Sequence, residues 1–411
     1  MPRDIVGVHT ELAQRTVPSV EGAGDYDQTQ MLRAVYRPVL DSEGDRYALA
    51  SAETDDESLG LRLREDARWH DGTRVTAADL KDAILAGLDR SPGLAGLLGI
   101  RGDAVQEEGP HRLRVWSRAA PLVADVLTDL RFTPWKRGYT GAFEAGADGV
   151  YRPRSGRGRS LCAVHLESTR AAIAAFDRGL VAATCPAMFE LAQHADSRRT
   201  KDCVTNMVAK LIVNPRLDPV LASAPFRAAL SRGLAVPDAA RDTLVVERAC
   251  TGPVREVPQP AARTLRVVYG GYWPNQFVAS AVASVLAELG VRHMILISAT
   301  LPELTNRLRS HEFDLAIAID VGTWGRHSQL LRGAASIHHR ASKAARSAME
   351  HATRELARGS AQAEELLSRM VFDVLPLVPL FRFRSVYLAA DALGGRLAND
   401  NYLRLEKLAS E

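Results

Sequence analysis

Between Leu61 and Leu80 the chain reads LRLREDARWHDGTRVTAADL, and the spacing of its apolar positions changes partway through. Leu61, Leu63 and Trp69 bracket a short alternating run with arginines on the opposite face, which is the period of a half-buried strand. His70-Asp71-Gly72 follows as a turn, because Asp bonds forward to the backbone and Gly tolerates positive φ. Thr76 is the expected N-cap of the next helix. Its hydroxyl is placed to accept from the Asp79 amide, and the Asp79 carboxylate falls in the positive first turn. No nucleophile accompanies the His-Asp-Gly run, so it reads as structural.

Residues 1–250 alternate strands and helices around a charged, irregular middle section. The run Thr251–Pro260, TGPVREVPQP, is punctuated by proline. A fresh pattern then starts: strand Thr264–Tyr269, helix Gln276–Leu289, strand Met294–Ile297, helix Pro302–Ser310, strand Leu315–Ile319. Such alternation predicts a parallel sheet covered by helices. With the return segment Pro376–Phe381, the expected organisation is a large lobe of residues 1–250 plus 386–411, containing a subdomain of about 40–165. The expected smaller lobe is 263–375, with crossings at 251–262 and 376–385.

Several fragments occur in a telling order. They are the Leu61–Leu80 junction, Gly149-Val150-Tyr151 with the hairpin Arg152–His165, and the helix Ala171–Leu180. Then come Leu211–Asn214 with Pro225–Leu230, Phe277–Gly290, Glu303-Leu304, Glu312-Phe313-Asp314, and Pro376–Phe381. Together they resemble the solute-binding proteins of peptide and nickel ABC importers, the dipeptide/oligopeptide-binding family. The resemblance spans nearly the whole chain. It implies an α/β, two-lobed periplasmic-binding-protein-like fold of type II, cluster C, with mixed sheets, helices on both faces and a two-crossing hinge. It also implies closure around a ligand by population shift, since a ligand touching both lobes favours the closed state.

In an open α/β sheet, ligands gather beyond the carboxyl ends of strands. Two loops there carry candidate ligand contacts: Tyr272, Trp273 and Asn275 after the strand Thr264–Tyr269, and Asp320, Trp324 and Arg326 after Leu315–Ile319. Rings with a few polar groups suit a concave site; the plainer reading of Tyr272 and Trp273 is that they cover the lobe's own core. The family's loop carries a Trp followed by an Asp that pairs with a peptide ammonium. Here Arg326-His327-Ser328 breaks that pattern, so Arg326 favours a carboxylate or phosphate, while Asp320 is a substitute for the missing acid.

Four cysteines, Cys162, Cys185, Cys203 and Cys250, stand apart without a C-x-x-C pair and fit reduced buried thiols. His338 and His339, read on a strand, point to opposite faces with no ligand at metal spacing. The run Arg152–Arg159, RPRSGRGR, reads as a solvated hairpin tip. No metal, cofactor or catalytic constellation is expected. A net charge of +3 over 411 residues gives no strong field for nucleic acid, and no apolar stretch spans a membrane.

The leading expectation is therefore a monomeric solute-binding protein for a small peptide or amino-acid-derived ligand, served by an ABC permease if the chain is exported. Two alternatives stay open: a cytoplasmic enzyme or accessory protein of specialised metabolism using the same cleft, and a cytoplasmic sensor domain. As written, Met1–Val8 enters a strand-like run with no apolar segment before it, which implies a cytoplasmic location. The alternative is an extracytoplasmic one, with the signal removed or the start misassigned. Expressed from its own gene, the chain is expected to fractionate with cytosol and to show four free thiols on denaturing alkylation; recovery as a processed form from medium or membrane overturns this.

Overall fold

The structure is a computed structural model, and it describes residues 5–10, 26–41, 47–166, 168–187, 190–191, 200–214, 219–247, 257, 264–271, 274–321, 327–393 and 402–410. The chain forms two compact units: residues 1–203, 323–360 and 385–411, and residues 204–322 and 361–384.

The first unit is built around a sheet ordered Phe143–Ala145, Val150–Pro153, Ser160–His165, Ile5–Thr10, Val181–Ala183. Ile5–Thr10 runs parallel to both of its neighbours. Gly7 makes that closeness possible, since a Cβ there would lie 2.6 Å from Val164 and 2.8 Å from the Leu180 carbonyl. Val6, Val8, Met31, Leu32, Val35, Phe143 and Leu161 form the core beneath. The expected hairpin is present, Val150–Pro153 pairing antiparallel with Ser160–His165. These strands join Ile5–Thr10 and so fall outside the separate antiparallel sheet of Ala50–Thr54, Ser58–Leu63, Arg112–Trp116 and Val105–Gly109, which narrows the expected subdomain.

The junction after Leu63 folds as its pattern predicts. Trp69 N–H donates to the Thr73 carbonyl at 2.9 Å, and Gly72 has φ +86. The Asp71 carboxylate accepts from the Thr73 amide at 2.8 Å. Thr76 and Asp79 close a capping box on helix Ala77–Asp89. The basic hairpin tip is less solvated than expected: Arg154 donates to the carbonyls of Trp69 at 2.5 Å and Gly141 at 3.1 Å.

The compact units differ from the expected lobes in two places. The strand Lys201–Val213 pairs antiparallel with Leu315–Val321, which draws the residues after it into the second unit. Helices Ser328–His338 and Lys343–Ala357 belong to the first unit, because they pack on helix Pro92–Leu98. The packing is tight: a Cβ on Gly93 would lie 1.9 Å from the Ala335 carbonyl oxygen, and one on Gly96 would lie 2.5 Å from the His338 ring. His338 and His339 therefore end a helix, not a strand. The His338 Nε2 lies 3.0 Å from Glu350 Oε1. Of the expected crossing 251–262, only Val257 is among the described residues.

The second unit centres on a sheet ordered Leu244–Val246, Leu377–Tyr387, Lys201–Val213, Leu315–Val321, Thr264–Gly270, His293–Ala299. Its last three strands are parallel to one another, as the alternation predicted. Helices Asn275–Glu288 and Leu301–Ser310 cover this part. Arg227 is buried and spends its guanidinium on main-chain oxygens, donating to Phe372 at 2.5 Å and Ala222 at 2.9 Å. Burial holds its pKa down to about 10.

The contact between Pro92–Leu98 and Ser328–His338 gives a direct test. Gly93→Ala should destabilise the protein by about 1–3 kcal/mol, since a backbone oxygen cannot step aside as a flexible side chain can. Gly102→Ala, at a position with nothing within 4 Å, serves as the control and should shift stability by less than about 0.5 kcal/mol. Urea denaturation of both variants measures the difference.

Candidate functional site

In the second unit the carboxyl ends of the parallel strands bring together Gly270-Gly271, Ala299-Thr300 and Asp320-Val321. The Gly271 amide donates to the Ala299 carbonyl at 2.8 Å, and a Cβ on Gly271 would lie 2.4 Å from Ser298 Oγ. That approach is to a rotatable hydroxyl, and the nearest backbone atom, the Ala299 carbonyl oxygen, would lie at an ordinary 3.6 Å. Asn275 opens the helix Asn275–Glu288 and is buried, with no hydrogen-bond partner for its Oδ1. A buried acceptor left without a donor is costly, and a site that binds a donor group is where such an atom is tolerated.

Asp320 holds a partner from its own unit. Val208 faces Asp320 and Lys210 faces Ala318 in the antiparallel ladder, so Lys210 sits diagonally from Asp320 on one face of the sheet. Lys210 Nζ lies 2.5 Å from Asp320 Oδ2, with the side chains 17% and 24% exposed. The carboxylate assigned from sequence to a ligand's ammonium is thus already engaged by a protein ammonium. Tyr272, Trp273, Trp324 and Arg326 lie outside the described residues.

In the first unit the matching strand ends carry residues that sequence reading did not single out. His9 is 2% exposed near the end of Ile5–Thr10, and its Nδ1 accepts the Cys185 amide at 3.1 Å. That bond assigns the ring proton to Nε2, which has no hydrogen-bond partner. Burial, and secondarily the nearby His165, lower the His9 pKa to about 4. The Cys185 thiol donates to Asp27 Oδ1 at 3.2 Å. Histidine, cysteine and carboxylate together invite a nucleophilic reading. The geometry opposes it, because the imidazole lone pair that would take the thiol proton is spent on a backbone amide. Only the polar ending of IVGVHT, otherwise an apolar strand, signalled this cluster.

Among the described residues, no group of His, Cys, Asp or Glu is arranged to hold a metal, and no helix is long and apolar enough to cross a membrane.

Both units are mixed α/β, with loops and polar groups gathered at the carboxyl ends of parallel strands. The fold is that of the two-lobed periplasmic binding proteins which the sequence resembles, as comparison with solved structures shows. The murein tripeptide-binding protein MppA of Escherichia coli superposes with a TM-score of 0.72 at 16% identity, covering 99% of this chain and 97% of that one. OppA of Haemophilus influenzae, in complex with the peptide RPPGFSPFR, gives 0.68 at 15% identity over 98% and 99% of the two chains. NikA of Brucella suis, in complex with Fe(III)-EDTA, gives 0.66 at 15% over 98% and 99%. No protein-family model and no curated protein sequence matches the chain.

The buried imidazole makes a pH prediction. The folded pKa of about 4 lies below the ordinary 6.5, so the unfolded chain binds the extra proton between these values. Stability from His9 is therefore fully present above pH 6.5 and is lost as pH falls toward 4, by up to ~3 kcal/mol. Asp125, which burial raises to about 6, acts in the opposite sense over part of that range. Comparing the pH profile of unfolding midpoints in the native protein and His9→Asn isolates the effect; the variant should lose less stability on acidification.

Proposed function

We propose that this protein is a solute-binding protein of the peptide-importer type, closing its two lobes around a small peptide or amino-acid-derived ligand and delivering it to an ABC permease. The observation that carries the reading is the fold correspondence over 96% or more of both chains in each comparison, with no large part of either left over. The names of those proteins include a tripeptide, a nonapeptide and a metal chelate, so one fold accommodates polar ligands of different chemistry.

Selectivity in this reading comes from Tyr272, Trp273, Asn275, Trp324 and Arg326, the rings supplying surface and the others orientation. Asp320 serves them indirectly. With its charge engaged by Lys210, it is a weak partner for a ligand ammonium, and Arg326 becomes the dominant charge for recognition. The favoured ligand therefore carries a free carboxylate or another anionic group. A catalytic role has less support, since the histidine, thiol and carboxylate of the first unit are bonded in a way that does not activate the thiol.

Calorimetric titration with acidic, neutral and basic tripeptides tests the proposal. Acidic peptides should bind most tightly, and Arg326→Ala should weaken them by about 2–5 kcal/mol while leaving the fold intact. Absence of binding by all three classes would remove the peptide reading. Tighter binding of basic peptides would return the ammonium-binding role to Asp320.

A further inference from the structure

A cavity of about 430 Å³ lies wholly within the first unit, bordered by the end of strand Arg112–Trp116, the end of helix Pro92–Leu98 and helix Lys343–Ala357. Its wall includes Trp116, a large ring left 42% exposed, beside the apolar Leu97 and Leu98. It also sets three guanidiniums, those of Arg101, Arg118 and Arg354, against two carboxylates, Glu57 and Glu350.

The ring is positioned by the protein itself. Trp116 Nε1 donates to Gln106 Oε1 at 3.4 Å, and the Arg114 guanidinium stands 5.6 Å from the ring centroid. Both carboxylates are engaged: Glu350 Oε1 lies 3.0 Å from Nε2 of buried His338, and Glu57 Oε1 lies 3.6 Å from Arg118 Nε. Glu350 and Arg354 are one turn apart on their helix, but the carboxylate is directed to His338 and not to the arginine. Among the described residues, the guanidiniums of Arg101 and Arg354 make no hydrogen bond or ion pair. Two positive groups therefore face the cavity without a counter-charge.

The carboxyl ends of two helices border the cavity, which by itself disfavours an anion. That effect is blunted, because the Leu98 carbonyl accepts the Ser117 hydroxyl at 2.6 Å and the Arg354 carbonyl accepts the Arg358 amide at 3.3 Å. An adjoining cavity of about 500 Å³ shares Glu57, Arg118 and Arg354. It sets three carboxylates against three guanidiniums, so it adds room without selecting a charge.

We infer that the cavity at Trp116 binds an aromatic anion, a planar ring packed against the indole and carrying a carboxylate or phosphate that meets Arg354, with Arg101 as the second cation. An aromatic wall supplies contact area with a preferred geometry, and a guanidinium fork matches the paired oxygens of either acidic group. The volume falls in the range of pockets for organic ligands and exceeds what an inorganic ion requires. An uncharged ring would leave both guanidiniums unused, and a bare anion would leave the indole in water.

The test is isothermal titration of the full chain with indole-3-acetate and, separately, AMP, with uncharged indole as the control. Saturable binding of at least one anion is expected, at least tenfold tighter than that of indole, and the tighter anion identifies carboxylate or phosphate chemistry. Trp116→Ala and Arg354→Gln should each weaken that anion at least tenfold, with circular dichroism confirming that each variant is folded. If Arg354→Gln does not fold, Arg101→Gln removes the second cation and carries the same expectation. No heat from either anion, binding of indole as tight as that of the anions, or unchanged binding in either folded variant would overturn the assignment.

Discussion

Parallel strand pairing is the constraint on which the rest of this structure depends. A parallel neighbour cannot be reached by a tight turn, so each strand must be followed by a long connection across the sheet. The consequence is an asymmetry of the two sheet ends. In the second unit, the ends of Thr264–Gly270, His293–Ala299 and Leu315–Val321 collect glycine, buried Asn275 and the Lys210–Asp320 pair. In the first, the end of Ile5–Thr10 gathers His9, Asp27 and Cys185. Both arrangements follow from strand direction before any ligand chemistry is considered.

The features legible in sequence were those fixed by neighbouring residues. Thr76 with Asp79, the turn at Gly72, and the strand–helix alternation from Thr264 to Val321 each depend on a few adjacent side chains, and each is found where its pattern placed it. Features that depend on a distant partner were not legible. The helices Ser328–His338 and Lys343–Ala357 fall in a different compact unit from the lobe their sequence position suggested, because nothing near them records that they pack against Gly93 and Gly96. Asp320 could be located, but its engagement by Lys210 needs the register of a strand 110 residues away. His9 and Cys185 are 176 residues apart and carry no shared motif.

Of the 52 lysines and arginines only Lys81, Lys136, Lys201, Lys210, Lys343 and Lys407 are lysine, and the arginine bias has a physical role in the folded chain. Arg227 and Arg154 each donate to several carbonyls, among them those of Phe372 and Trp69, 145 and 85 residues away, and Arg382 meets Glu247 through two nitrogens at 3.0 and 2.9 Å. A planar fork can satisfy several oxygens at fixed angles, which a single ammonium cannot do. Replacing Arg227 by lysine would keep the charge but lose that geometry.

The position of Lys201–Val213 between Leu315–Val321 and Leu377–Tyr387 sets a schedule for the nascent chain. When this strand leaves the ribosome, neither of its sheet neighbours has been made, and the later one follows more than 160 residues afterwards. Both of its edges therefore stay open to other chains until those strands emerge, at the usual elongation rate for roughly ten seconds or more. The second unit can close only after Leu377–Tyr387 has been made. Its yield in the cell should thus depend on chaperone protection of this strand more than on the final stability of the sheet.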